Sequence, residues 1–186
     1  MSGNELIECS DLFRNTSRVS IIDANVGINV IRRSINNNQV VMVPQTYCYD
    51  YALAVLGRAV HAVTKPLKEI YKTLGLREYS LSQIEKQLDS QLERIKNVVR
   101  ELRCYSSNNS IIVCNISRTY ADRIIDELKS LVERGIISKN ELKDLVEHHD
   151  HYYIALYKLC RDKGVEPNMY TEDKCLDKTI DHFRQN

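Results

Sequence analysis

Two short runs of mostly β-branched residues, Val19-Ser20-Ile21-Ile22 and Val40-Val41-Met42-Val43, constrain this chain more than any other feature. Each is too short for a helix and almost free of polar side chains, the pattern of a strand buried on both faces. Between them Val26, Val30 and Ile31 recur at helical spacing until Asn36-Asn37-Asn38 breaks the rhythm. Pro44 follows the second run and is expected to open a helix at its first turn, where no amide hydrogen is needed. Strand, helix, strand, helix is the α/β signature, with a mainly parallel sheet at the centre.

Further along, Leu81, Ile84, Leu88, Leu92, Ile95, Val98 and Leu102 step by three or four, which predicts a helix from Ser80 to Cys104 with Ser82 and Glu85 as a capping box. The opposite face is charged, so one stripe is expected to be buried and one solvated; a helix-pair homodimer is the alternative use of the stripe. A third apolar run, Ile111 to Cys114, precedes a helix carrying Ala121, Ile124, Ile125, Leu128, Leu131 and Val132 on one side, with Gly135 at its end. Ser138 and Glu141 form a second capping box, Asp150 is placed as the N-cap of a late helix ended by Gly164, and Asn168-Met169-Tyr170 is a short strand.

With 43% hydrophobic and 27% charged residues, the chain can bury a core and is neither a disordered tail nor a membrane protein. Lys and Arg total 26 against 25 for Asp and Glu, which excludes the strongly basic footprint of a protein that coats nucleic acid but leaves a local groove open. The first residues, MSGNELIECSDLFRNTSR, contain no apolar segment that reads as a signal peptide, and a cytoplasmic location is expected. Six cysteines lie without a CxxC pair, so zinc-ribbon and redox-motif spacing is absent. Buried thiols are the expected state, with disulfide pairing left open.

Four aspartates share one address in this outline. Asp23 follows the first strand, Asp50 lies one to two turns into the helix after the second, Asp150 opens a late helix, and Asp173 follows the last strand. In a parallel α/β sheet these places lie at the carboxyl edge, where such folds bind ligands. Two unit charges about 4 Å apart repel by roughly 4 kcal/mol at an effective dielectric near 20, so a carboxylate cluster needs a cation or a proton. Oxygen-only ligands suit Mg²⁺ or Mn²⁺, and phosphodiester hydrolysis fits that ligand set.

The segments VSIIDANVGINVI, VVMVPQTYCYDYALAVL, HDHYYIALYKL and NMYTEDKCL resemble the four acidic motifs of the PIN-domain superfamily, in order. The resemblance covers roughly residues 18 to 64 and 118 to 178. It implies a single domain over 1–186 with a PIN-like three-layer fold, extended by a helical insertion at about 65–110. It further implies an Mg²⁺- or Mn²⁺-dependent endoribonuclease acting on single-stranded or structured RNA. Asp23, Asp150 and Asp173 are then the metal ligands, and Asp50 orients metal or water. Asn25 and Thr171 support them. The family usually carries Glu where this chain has Asp50, one methylene shorter and suited to reaching a metal through water. Many prokaryotic members are toxins of toxin–antitoxin pairs, so an antitoxin-like protein partner belongs to the same expectation. The alternative is a catalytically weakened module that binds RNA or a protein partner.

Arg32, Arg33, Arg58, Lys174 and Lys178 flank the motifs and are candidates for holding phosphates. His148, His149 and His151 are expected at the surface or behind the carboxylates, since adjacent helical histidines point apart and no zinc-spaced partner exists. Of eleven tyrosines, Tyr47, Tyr49, Tyr51, Tyr152 and Tyr153 cluster near the motifs, where an aromatic ring either stacks an RNA base or packs in the core.

Overall fold

The structure, a computed structural model, describes residues 17–57, 81–107 and 110–185. Among them four strands form one all-parallel sheet: β1 (Arg18–Ile22), β2 (Val40–Pro44), β3 (Ile111–Cys114) and β4 (Glu166–Tyr170), in the order β3-β2-β1-β4. Seven helices accompany it among the described residues: α1 (Ile28–Asn36), α2 over 47–57, α3 (Leu81–Ser107), α4 (Arg118–Glu133), α5 (Lys139–Glu147), α6 (Asp150–Asp162) and α7 (Lys174–Gln185). The class is α/β, as the strand and helix patterning predicts.

Central and edge strands differ as their sequences require. Residues 19–22 of β1 and 41–44 of β2 are all buried, since helices cover both faces of a parallel sheet's centre. Edge strand β4 alternates exposed and buried positions through Met169. The first three strands step outward in one direction, β1 to β2 to β3, and β4 then returns to the far side of β1. Parallel register joins Arg18 to Glu166 through Ile22 to Tyr170, so the carboxyl ends of β1 and β4 lie side by side. The switch point of the sheet therefore falls between the strand that ends before Asp23 and the strand that ends before Thr171.

Helix α6 contacts β1, β2 and β4 as well as α4, α5 and α7. Tyr153, Ile154, Ala155, Leu156, Tyr157, Leu159 and Cys160 are all buried on it, a helix apolar on nearly every side because it has neighbours on nearly every side. On α3, Val98 and Leu102 join the core while Leu92 is 47% exposed, so the last turns of the apolar stripe are spent on the fold itself. Leu81, Ile84, Leu88 and the Ser82–Glu85 pair lie outside the described side chains, as does the 65–80 part of the expected insertion.

Local chemistry explains most boundaries. The Ser138–Glu141 capping box of α5 is complete in both directions. Gly135 and Gly164 take the positive φ values, 70° and 74°, that end α4 and α6. Ser117 caps α4 by accepting from the Tyr120 amide, a cap that the apolar spacing did not single out. Two expectations are corrected. Pro44 does not open a helix; it is the last residue of β2, paired with Cys114 toward an edge strand, and α2 starts three residues later. Nor is Asp150 an N-cap, because His149 occupies that place and Asp150 is the first residue inside α6. Of the cysteines, Cys160 is a buried thiol and Cys175 a half-buried one, Cys48 is exposed rather than buried, and Cys114 is disulfide-bonded, the pairing that the sequence leaves open.

Candidate functional site

Asp23, Asp50, Asp150 and Asp173 line one cavity of about 420 Å³ together with Asn25, His148, His149, Leu53 and Ala54. Each carboxylate arrives from a different element. Asp23 follows β1, and its amide donates to Tyr170 O at 3.0 Å, extending the β1–β4 ladder by one bond. Asp50 lies in the first turn of α2, its amide bonded to Thr46 O. Asp150 begins α6 and Asp173 precedes α7. Three of the four thus sit at helix N-termini, where unpaired amides and the helix dipole favour negative charge.

The polar contacts fix these groups one by one. Thr171 Oγ1 donates to Asp23 Oδ2 at 2.7 Å and accepts from the Asp173 amide at 2.9 Å, so one hydroxyl ties two carboxylate segments together. Asp173 Oδ1 accepts from the amides of Cys175 (2.7 Å) and Leu176 (2.9 Å) and serves as the N-cap of α7. Asn25 Oδ1 accepts from the Glu172 amide at 3.2 Å and braces the loop after β1 against the loop after β4. Asp50 Oδ1 lies 2.8 Å from His149 Nδ1, while Asp50 Oδ2 is buried without a partner.

Electrostatics follow from this crowding. Burial, opposed by the Thr171 hydroxyl and the Asn25 and Ala24 amides, pushes Asp23 up to about 6. Burial first, then the charges of Asp23, Asp173 and Asp50, pushes Asp150 up to about 8. A cation-free cavity at neutral pH therefore keeps a proton on Asp150, one of the two ways a carboxylate cluster can be neutralised. Among the described residues no three His, Cys, Asp or Glu side chains are already gathered as a group that could hold an ion. Asp23 is held by Thr171, Asp173 by the α7 amides and Asp50 by His149. In donor chemistry the set still fits a hard divalent cation, since every carboxylate offers oxygen and Asp50 Oδ2 is a buried acceptor lacking a donor.

The basic candidates sit elsewhere. Arg32 makes a two-pronged ion pair with Glu101 of α3, at 2.7 and 2.6 Å, which also pushes the guanidinium's pKa further up. Lys178 bonds Glu141 Oε1 at 3.0 Å. Neither these two nor Arg33 nor Lys174 is among the residues lining the cavity, and Arg58 lies outside the described residues. The histidines divide three ways. His148 is exposed, His151 is buried with Nδ1 3.3 Å from Leu145 O and its pKa lowered mainly by burial, and His149 stands in the cavity wall. His149 has φ 63° and ψ 14°, the left-handed region that normally selects glycine. No periodicity marks such a residue. The only sequence signal is the break in apolar rhythm at Glu147-His148-His149.

This backbone state makes a measurable prediction. His149→Gly and His149→Ala both lose the bond to Asp50, but only alanine keeps a Cβ in the left-handed region, at a cost of roughly 1–2 kcal/mol. The glycine variant is expected to be the more stable of the two by about 1 kcal/mol in urea unfolding. Equal midpoints would show that residue 149 is not held left-handed.

In the core, the hydroxyls of Tyr47 and Tyr153 and Oγ1 of Thr46 are buried without partners. Burial, with Asp23 among the nearby charges, raises the pKa of both tyrosines well above the usual value, so these phenols are neutral. A separate hollow of about 560 Å³ lies between α4, α6 and α7, where Lys158 pairs with Glu127 and stands 4.9 Å over the Phe183 ring. Lys158 and Glu127 form an ion pair there, Arg161 donates to Phe183 O, and the hollow contains none of the motif aspartates. Among the described residues no helix is long and apolar enough to cross a membrane. Compared with family models, curated proteins and solved structures, this chain matches none.

Proposed function

We propose that this chain is a metal-dependent endoribonuclease whose Mg²⁺ or Mn²⁺ is held by Asp23, Asp150 and Asp173. The observation that carries the proposal is the meeting of four aspartates from four elements in one cavity at the sheet's switch point, with a buried carboxylate oxygen left unpaired. A hard divalent cation there supplies a nucleophilic water at neutral pH and offsets charge on the phosphorus oxygens. The chain's own residues supply order. Thr171 orients Asp23 and fixes the start of the Asp173 segment, Asn25 joins the two loops, and Asp50 is aimed by His149. The likeness of the four motifs to those of PIN-domain nucleases, in the same order, supports the same reading.

The test is digestion of end-labelled single-stranded RNA with Mn²⁺ and with chelator. Cleavage is expected with the ion and absent without it. The second reading, a module that binds RNA or a protein partner without cutting, is favoured by one observation. Asp50 is both a short side chain and already engaged by His149 at 2.8 Å. Ion-independent RNA binding with no product in either arm would select it.

A further inference from the structure

Two exposed apolar side chains stand beside the acidic cavity, and nothing in the fold requires them there. Tyr49 is 58% exposed and Leu53, one helical turn along α2, is 50% exposed and lines the cavity. Their neighbours Tyr47 and Tyr51 occupy the inward face of the same helix, each 1% exposed, so the core's demand for tyrosine on α2 is already met. The Tyr49 ring lies 5.7 Å from the His149 imidazole at an interplanar angle of 44°, and Tyr152 meets the same imidazole edge-on at 6.3 Å. His149 cannot swing freely, because its backbone is left-handed and its Nδ1 is 2.8 Å from Asp50 Oδ1. The result is a braced aromatic ledge at the rim of an anionic cavity.

Among the described residues no lysine or arginine lines that cavity. A polynucleotide entering it gains no basic clamp from those walls, and its bases must contribute to holding it. Resting on the nuclease reading above, we infer that Tyr49, backed by His149, stacks an unpaired base of single-stranded RNA next to the phosphate presented to the carboxylates. Stacking demands an exposed π-face, which a base in a duplex does not offer. The ledge therefore selects unpaired RNA and tolerates any base sequence.

The test uses the full chain with a short single-stranded RNA carrying 2-aminopurine, whose fluorescence is quenched on stacking, in chelator so that strands stay intact. The parent is expected to bind and quench. Tyr49→Ala, a surface change, is expected to weaken binding about tenfold and lose the quenching. Tyr49→Trp restores both, and a fully paired duplex shows no difference between parent and variant. Cleavage with Mn²⁺ is measured on the same samples. If the parent cleaves while Tyr49→Ala binds and quenches like the parent, the ledge is refuted and the nuclease reading stands. If Tyr49-dependent binding and quenching occur with no cleavage, the ledge stands and the nuclease reading falls. Absence of RNA binding together with absence of cleavage overturns both.

Discussion

Asp150→Asn is expected to abolish metal-dependent cleavage and to leave the metal-free protein as stable as the parent or more so. The two halves have one cause. In the folded chain Asp150 is raised to about 8 by burial and by the charges of Asp23, Asp173 and Asp50, against an ordinary value of 3.8. A raised carboxyl stabilises the fold fully below its unfolded pKa and loses that contribution as pH rises through its folded pKa. The metal-free parent should therefore lose stability between about pH 4 and pH 8, by an amount on the order of a few kcal/mol. Asp23, raised to about 6, adds to the lower part of that window. Asparagine keeps the side chain's shape at the first position of α6 but takes on no charge, so the variant's profile should be flatter. Cation reverses the ranking: binding only to the folded form adds about 2.7 kcal/mol at a hundredfold excess over Kd, and the variant should forfeit much of this. Thermal melts across pH, with chelator and with Mn²⁺, read both effects. A variant clearly destabilised without metal yet showing the parent's full Mn²⁺ shift would remove Asp150 from the site.

The next largest effect is expected at Thr171. Its hydroxyl donates to Asp23 and accepts from the Asp173 amide, so Thr171→Val deletes two hydrogen bonds while conserving volume. Mn²⁺ affinity should fall about 10- to 100-fold, the range typical of residues that orient ligands. Stability should drop by about 1–3 kcal/mol, because a buried carboxylate and an amide lose their partner. Thr171→Ser retains the hydroxyl and is expected to recover most of both. Calorimetric titration of Mn²⁺ into the three proteins checks the order. Affinity for valine equal to that of the parent would show that Asp23 needs no such support.

Much of this architecture is written locally, and the exceptions have physical causes. The strands β1 and β2 are legible because double-sided burial demands nearly unbroken apolar runs, and α5 is legible because a capping box is a local motif. Pro44 is ambiguous from sequence: opening a helix and ending a strand both dispense with its missing amide hydrogen, and only the neighbouring strand decides. The tyrosines at 47, 49 and 51 are ambiguous because an alternating triplet acquires meaning only once the period is known. On a helix the outer two share a face and the middle one is turned away, which separates two core residues from Tyr49. Candidate aspartates can be found by their place after strands and before helices, whereas Thr171's double role and the Asp50–His149 contact depend on distances between remote segments. The basic candidates show the limit of proximity in sequence: Arg32 follows the first motif closely, yet its helix presents it to Glu101.

The β1–β4 pairing sets an order of events in synthesis. Asp23 and Asp173 stand on either side of a junction whose two strands are separated by more than a hundred residues of chain. A nascent chain that ends before Glu166 has one side of β1 without its partner strand and lacks both Thr171 and Asp173. The contacts that align Asp23 with Asp173 therefore need the chain through β4 and the loop after it, a long-range parallel pairing of the kind that forms slowly. Incomplete chains leaving the ribosome early would carry Asp23, Asp50 and Asp150 but neither Asp173 nor the Thr171 hydroxyl, so the acidic cavity is confined to molecules that have closed the sheet.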